Sequence, residues 1–318
     1  MDIRLSRRSF LGAFPALILA LVVACGGGAV LEPSMSPAAT SPATATAAAF
    51  PVTVTDHQGK SVTVPKRPER IVSIGPSNTE FLFALGAGDR VVAVDDFSDQ
   101  PAAAKAKEKI GGVKPNVEKI VSLRADLVVS LRISDGSLER IGAQSIPVLV
   151  LDPKGLADTA RTAVVLGTAI GAEGAKLARS IDEGLDAVRA KAASVPKKRV
   201  FHEVDASDPT KLFTAGPGSF IHELIELAGG INVAARAPSP FPQLSPEEVI
   251  KADPEIIVLG DAGYGVTVEQ VLARPGWSAI TAVRTKRVVP ADPNLLHRPG
   301  PRIVEAAETY LKIIRETT

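Results

Sequence analysis

Val117-Glu118-Lys119-Ile120-Val121-Ser122-Leu123-Arg124-Ala125-Asp126-Leu127-Val128-Val129 has a counterpart in the second half of the chain, Pro246-Glu247-Glu248-Val249-Ile250-Lys251-Ala252-Asp253-Pro254-Glu255-Ile256-Ile257-Val258. Each copy carries an acid at its second position, paired apolar residues at the fourth and fifth, an acid at the tenth, and an apolar run after it. The pattern reads as a short helix followed by a strand, once in each half, and predicts two related lobes. Glu118 and Glu247 then occupy equivalent places in the first turn of a helix. A carboxylate there complements the helix dipole by about 0.3–1 kcal/mol, which is one reading of each residue alone. The matched pair supports a second, in which each lobe offers one acid to a partner on the same outer face.

Strands and helices alternate around both copies. Val52–Asp56 and Ser61–Val64 read as a hairpin, and Pro65 and Pro68 break it off. Ile71–Ile74, Val91–Val94, Leu127–Ser130 and Val148–Leu151 read as strands; between them Thr79–Leu85, Val117–Leu123 and Leu138–Ala143 read as helices. Gly75-Pro76-Ser77-Asn78 reads as the loop into the first helix. In the second half Arg199–Val204, Ile256–Leu259 and Val288-Val289 are strands, and Ser219–Leu227, Pro246–Lys251 and Pro301–Ile314 are helices, with Ser219 as N-cap. Alternation of this kind predicts mostly parallel, Rossmann-like α/β sheets. No strand candidate interrupts Leu156–Ile170 or Ala172–Val195. In the second of these, Leu177, Ile181, Leu185 and Val188 recur at helical spacing. As a single helix of about 23 residues it measures about 35 Å, a rigid spine between lobes or an ordinary outer helix.

The N-terminus has the order of an export signal: Ser6-Arg7-Arg8-Ser9-Phe10-Leu11-Gly12, then an apolar run to Ala24, then Cys25, the only cysteine. Leu21-Val22-Val23-Ala24-Cys25 resembles a bacterial lipobox whose cysteine is diacylated, and the paired arginines look like a twin-arginine signal. From Gly26 to about Ala49 the chain is Ala, Thr, Ser and Pro, too poor in large apolar residues to offset ordering entropy, and reads as a tether. The expected division is therefore 1–24 signal, 25–49 tether, 50–155 first α/β lobe, 156–196 bridging helices and 197–318 second α/β lobe, on an extracytoplasmic protein held to the cell membrane by lipid. The 36 basic and 35 acidic residues become 33 and 34 once Arg4, Arg7, Arg8 and Asp2 leave with the signal. That leaves no basic excess to attract nucleic acid. Aromatics are only 4% of the chain, so a large-ligand pocket must be lined by aliphatic residues, backbone and a few rings.

Arg70-Ile71-Val72-Ser73-Ile74-Gly75-Pro76-Ser77-Asn78-Thr79-Glu80, Ala84-Leu85-Gly86-Ala87-Gly88-Asp89-Arg90-Val91-Val92 and Lys114-Pro115-Asn116-Val117-Glu118 resemble the substrate-binding proteins of ABC importers for cobalamin and ferric siderophores. Phe213-Thr214-Ala215-Gly216, Glu223–Gly230, Pro240-Phe241-Pro242-Gln243-Leu244-Ser245 and Arg298-Pro299-Gly300-Pro301-Arg302 extend the resemblance over nearly the whole body. It implies two Rossmann-like lobes bridged by a long α-helix, the class III periplasmic-binding-protein architecture, with ligand in the cleft between. It implies a monomer that binds a small molecule and works with an ABC permease dimer and its ATPase, without cofactor and without catalysis. Glu118 and Glu247 are, by the same resemblance, the docking acids that engage permease arginines.

The Pro-Phe-Pro-Gln-Leu-Ser stretch and the Arg-Pro-Gly-Pro-Arg segment look closer to cobalamin binders than to siderophore binders. The cobalamin pattern puts pocket contacts at Phe97, Leu131, Phe213, Phe241, Asn294 and Arg298; Pro76, Ser77, Asn78 and Arg132 join them as expected ligand-binding residues. The chain departs from that pattern with Phe97 in place of a tyrosine, Leu131 and Phe241 in place of tryptophans and Asn294 in place of an aspartate, which keeps an apolar, shape-reading pocket with fewer polar handles. Arg298 serves equally as a partner for an anionic ligand group or as a salt-bridge residue. Cobalamin or a related corrinoid is the expected guest, with a ferric siderophore or haem as the alternative.

Other classes are less well supported. The histidines His57, His202, His222 and His297 are scattered, with no second His at helical spacing, and each is expected to be solvated or capping and not a metal ligand. Gly216-Pro217-Gly218 lacks the third glycine of a dinucleotide loop, no Gly-x-Ser-x-Gly elbow is present, and the single cysteine is committed to lipid, which disfavours an enzyme. A purely structural surface lipoprotein has no need of a cleft between matched lobes.

Overall fold

The computed structural model describes residues 49–316; the export signal, Cys25 and nearly all of the expected tether lie outside the described residues. The body opens with an antiparallel hairpin, β1 (Val52–Thr55) and β2 (Ser61–Val64), in register Val52 to Val64. The Asp56 carboxylate closes its turn by accepting from the Gln58 and Lys60 amides.

The first lobe follows as β3 (Ile71–Ile74), α1 (Pro76–Ala84), β4 (Val91–Val94), α2 (Ala102–Lys105), β5 (Glu108–Lys109), α3 (Val117–Ser122), β6 (Leu127–Ser130), α4 (Ser137–Gly142) and β7 (Val148–Val150). Its five strands run parallel in the order β5-β4-β3-β6-β7. Strands β3 and β6 are buried along their whole length, as parallel strands covered on both faces must be. Ile71, Leu127 and Val129 face a core shared with the rest of the molecule, while Val72, Ile74 and Val128 pack outward with Ile110, Ile120 and Ile141.

Helix α1 begins three residues earlier than the sequence predicts. Gly75 takes a left-handed conformation, φ 106°, and turns the chain so that Pro76 starts the helix at a position where its missing N–H costs nothing. Pro76, Ser77 and Asn78 are therefore the first helical turn and not a loop.

Two helices join the lobes, α5 (Leu156–Ile170) and α6 (Gly174–Ala192). The expected single rod of about 23 residues is a 19-residue helix, about 28 Å long, packed against α5. Gly167 and Gly174 make the close approach possible, since a Cβ on Gly174 would overlap the Ala163 carbonyl. Helix α5 touches both lobes, and α6 packs on α5 and on helices of the second lobe. Helix α5 starts under the second lobe, where Glu223 accepts from the Leu156 amide at 2.7 Å, and ends beside the first, where Arg90 donates to the Ile170 carbonyl at 3.0 Å. Helix α6 returns from there to the second lobe, ending where Arg315 donates to the Lys191 carbonyl.

The second lobe comprises β8 (Arg199–Asp205), β9 (Leu212–Thr214), α7 (Phe220–Leu227), β10 (Ile231–Asn232), β11 (Gln243–Leu244), α8 (Pro246–Ala252), β12 (Ile256–Leu259), α9 (Val268–Leu272), α10 (Thr281–Arg284), β13 (Val288–Pro290), α11 (Pro293–Leu296) and α12 (Ile303–Arg315). Its sheet runs β11-β9-β8-β12-β13, with β10 also paired to β8. Strands β10, β12 and β13 follow the parallel pattern, whereas β9 is antiparallel to both of its neighbours. Ser219 caps α7 as expected, accepting from the His222 amide.

The repeat is a three-dimensional one. Helix α3 leads into β6 beside β3, and α8 leads into β12 beside β8. The eighth residue of each copy, Arg124 or Asp253, leaves its helix in a left-handed conformation. The tenth, Asp126 or Glu255, accepts from the amide of Arg70 or Arg199 at the head of the neighbouring strand, at 2.9 and 3.0 Å. Those arginines reciprocate, donating Nε to the Leu123 and Asp253 carbonyls at 2.8 Å. The second acid of the repeat is thus a clamp between helix end and strand start.

Candidate binding cleft

In an open parallel α/β sheet the loops at the carboxyl ends of the strands form the binding edge. Here the two sheets present these edges to a common cleft of about 900 Å³. The first lobe contributes Pro76 and Ser77 after β3, Phe97 after β4, Leu131 after β6 and Pro153 after β7; the second contributes Phe220, Pro240, Phe241, Tyr264 and the segment Pro293–Pro299. Gly75 accommodates Leu131, whose side chain fills the space a Cβ there would need. The walls are apolar rings and prolines, and three of the rings are open to solvent: Phe97 is 55% exposed, Phe241 46% and Tyr264 75%. Exposed aromatics gathered in one concavity are the usual lining of a site for a large apolar guest.

Of the residues expected at the ligand, the structure brings together Pro76, Ser77, Phe97, Leu131, Phe241, Asn294 and Arg298. Three are elsewhere. Asn78 is fully buried and turned into the sheet, donating Nδ2 to the Ile74 and Leu151 carbonyls at 3.2 and 3.1 Å. Phe213 sits on β9 between buried Leu212 and Thr214, and strand alternation turns it to the other face, away from the cleft. Arg132 lines an adjoining recess of about 360 Å³ with His57, Asp158 and Arg161, which meets the cleft only at Asp152 and Lys154.

Arg298 lines the cleft with its charge already engaged. Its guanidinium crosses to the first lobe and donates to Asp99 at 2.6 Å and to the Phe97 carbonyl at 3.3 Å, while holding Asn294 at 2.5 Å on its own lobe. Arg302 adds a two-pronged pair to Glu80 at 2.8 and 2.9 Å, and Arg298 lies 3.5 Å from the same carboxylate. Glu80 is buried, so these cations satisfy a charge that would otherwise be costly. The Arg-Pro-Gly-Pro-Arg segment is a bolt between lobes.

The histidines differ most from expectation. His202 is completely buried on β8, and its Nε2 lies 2.9 Å from Nε2 of His297, which lines the cleft; Tyr310 Oη lies 2.7 Å from His202 Nδ1. Burial pushes the His202 pKa far down and lowers that of His297 to about 4, so both rings are neutral at neutral pH. His202 is neither solvated nor capping, whereas His297 closes α11 at its C-terminal end and keeps one edge open to the cleft. The sequence carried no signal for this pair, because the two residues are far apart in the chain and neither shows metal-ligand spacing. Nor did it flag Tyr264, which stands among glycines in a segment without periodicity.

Glu118 and Glu247 are both exposed, each the second residue of its helix. The ends of α3 and α8 are fixed at the amino edges of the sheets by Arg70 and Arg199. Both helices therefore begin toward the carboxyl edges, the side on which the cleft opens.

Residues 71–295 match a family model described as periplasmic binding protein. The chain is 35% identical to the uncharacterized ABC transporter substrate-binding lipoprotein YvrC of Bacillus subtilis, over 96% of this chain and 98% of that protein. It is 32% identical to the cobalamin-binding protein of Halobacterium salinarum, over 86% of this chain and 76% of that one. The solved periplasmic haem-binding protein RhuT from Roseiflexus sp. RS-1 superimposes with a TM-score of 0.68 at 29% identity, covering 78% of this chain and 98% of that chain.

Proposed function

We infer the function from family membership: the chain belongs to the periplasmic binding protein family, the substrate-binding proteins of ABC importers, which are not enzymes. We propose that its ligand is cobalamin or a related corrinoid, captured in the interlobe cleft and passed to the permease. The observation that carries this reading is the cleft itself. It is a space of about 900 Å³ walled by Phe97, Leu131, Phe220, Phe241 and Tyr264, and its one guanidinium is already spent on the bolt. Such a site reads the shape and apolar faces of a large ring system and does not depend on a free cation for an anionic group. The cobalamin-binding relative supports the same choice. Pro76, Ser77, Phe97, Leu131, Phe241 and Asn294 are the ligand contacts in this reading. Glu118 and Glu247 dock one on each permease subunit, and a diacylated Cys25 tethers the protein, as a monomer, to the outer face of the cell membrane.

A thermal-shift panel of cyanocobalamin, cobinamide, ferric haem and several ferric siderophores tests the ligand. Stabilisation that grows as RT ln(1 + [L]/Kd) with the corrinoids alone is the expected outcome. Stabilisation by siderophores alone would overturn it. Haem is the second reading, favoured by the haem-binding structure and by a tyrosine and a histidine in the cleft wall.

A further inference from the structure

Tyr310, His202 and His297 form a chain of hydrogen bonds from the buried interior of the second lobe to the cleft. Its direction follows from counting hydrogens. Tyr310 is fully buried, and among the described residues its hydroxyl has one partner, His202 Nδ1. A phenol accepting from that nitrogen would leave its own hydrogen without an acceptor, so the hydroxyl donates. His202 Nδ1 is then the acceptor of a neutral ring, and the ring's single proton sits on Nε2. That proton faces Nε2 of His297, which must accept it, and the proton of neutral His297 is left on Nδ1. Nδ1 of His297 has no hydrogen-bond partner among the described residues and, unlike Nε2 of His57, is not sealed from solvent. Gly260 leaves room for the junction, since a Cβ there would overlap both rings.

We propose that His297 is the donor by which the second lobe reads its guest: a one-way relay from Tyr310 through His202 fixes an Nδ1–H toward the cleft, offering a proton to a carbonyl, carboxylate or phosphate oxygen of the ligand and no lone pair to a metal centre. The proposal rests on the cleft being the binding site, and it narrows the guest to one held by oxygens at its periphery. Between the two readings above, it favours a ring whose metal already has its axial ligands over one that needs an axial histidine from the protein.

The relay is tested without ligand by a long-range ¹H–¹⁵N correlation spectrum of the purified protein at neutral pH. The expected spectrum shows His297 with its proton on Nδ1 and His202 with its proton on Nε2. A proton on Nε2 of His297 overturns the proposal whatever the protein binds. Tyr310→Phe removes the donor that sets the direction, and mixed tautomers at His297 are expected; an unchanged pure Nδ1–H form shows that the relay does not set it. Recognition is tested with cyanocobalamin by equilibrium binding. His297→Ala is expected to weaken it about tenfold, the loss of one hydrogen bond. His297→Asn, whose amide nitrogen falls near the place of Nδ1, is expected to restore most of the affinity, and wild-type affinity in the alanine variant overturns the donor role. With ferric haem as probe, a histidine-ligated low-spin spectrum that disappears in His297→Ala overturns it as well. A protein that binds neither probe yet shows the Nδ1–H form sinks the corrinoid reading and leaves the relay standing.

Discussion

Ser73 and His202 occupy the same place in the two lobes, and the chain uses them differently. Each lies opposite the last residue of the repeated segment, Ser73 beside Val129 and His202 beside Val258. In the first lobe the buried serine joins a hydroxyl chain through Thr79 and Ser98 to Asp95, with steps of 2.8, 2.8 and 2.7 Å. Asp95 in turn holds the amides of Gly75 and Phe97, which set the entrance to α1 and the first cleft ring. In the second lobe the equivalent position holds an imidazole that fixes His297. One strand position therefore ties a cleft segment to the sheet in both lobes, by neutral hydroxyls ending on a carboxylate in one and by a titratable pair in the other. The neighbouring residue repeats the contrast. Ile74 is apolar, whereas Glu203 is a buried carboxylate gripped by Arg274 at 2.5 and 2.8 Å over the Trp277 ring, with Asp261 close by. The framework is shared, and at these two strand positions only the second lobe places ionisable side chains.

If the lobes are equal partners at the permease, Glu118→Ala combined with Glu247→Ala reduces ligand uptake to background with ligand affinity unchanged, and each single variant retains part of the transport. Transport by the double variant at the wild-type rate would remove the docking role from both helices.

Arg274→Ala probes the charge asymmetry in stability. It leaves Glu203 buried without its cation, and a loss of about 3–5 kcal/mol is expected in denaturant unfolding. No comparable loss is available in the first lobe at the equivalent residue, Ile74, whose replacement by Val is expected to cost about 0.5–1.5 kcal/mol.

The pH dependence of the second lobe comes next. Burial, and then the Glu203 charge, raise the Asp261 pKa from 3.8 to about 6. Folded protein thus holds a proton that the unfolded chain has released, and this contribution, complete below pH 3.8, is lost as pH rises through about 6. It amounts to roughly 3 kcal/mol at most. His297 works in the opposite sense: with its pKa lowered from 6.5 to about 4, its contribution is present above 6.5 and lost as pH falls through 4. The two slopes oppose each other, so the diagnostic quantity is the difference between wild type and Asp261→Asn. That difference should rise with pH between 4 and 6 in favour of the variant, and a flat difference curve would show that Asp261 does not titrate in that window.

Ser73→Ala is expected to show the smallest effect. It removes one end of the hydroxyl chain at a cost of about 1 kcal/mol, without altering the pH profile. A pH-dependent loss would mean that Ser73 is coupled to an ionisable group through that chain.

Much of this was legible in the residues. The repeat placed two helices, two strands and two exposed glutamates at matching positions, because a helical period and an apolar strand run are local properties. The connection between lobes was legible as two helical stretches, but their packing on each other was not, since nothing in Leu177, Ile181, Leu185 and Val188 tells whether their apolar stripe faces a lobe or a second helix. The pocket was legible as a set of segments and less so residue by residue. Phe97, Leu131, Phe241 and Asn294 line the cleft; Phe213 fails by one step of strand alternation, Asn78 because Gly75 lets the helix start early, and Arg132 because its loop opens into a neighbouring recess.

The sequence by itself determined the two-lobed α/β plan, the helix starts that carry Glu118 and Glu247, and the family, since each depends on patterns within a few turns or strands of the chain. Only the tertiary structure decided what those segments do to one another. It closes Arg298 and Arg302 onto Glu80 and Asp99 across the cleft, and it sets His202 between Tyr310 and His297. These contacts join residues that spacing cannot relate, because the distance between two side chains on different lobes depends on how the lobes pack, and the direction of a buried hydrogen bond depends on every partner in reach.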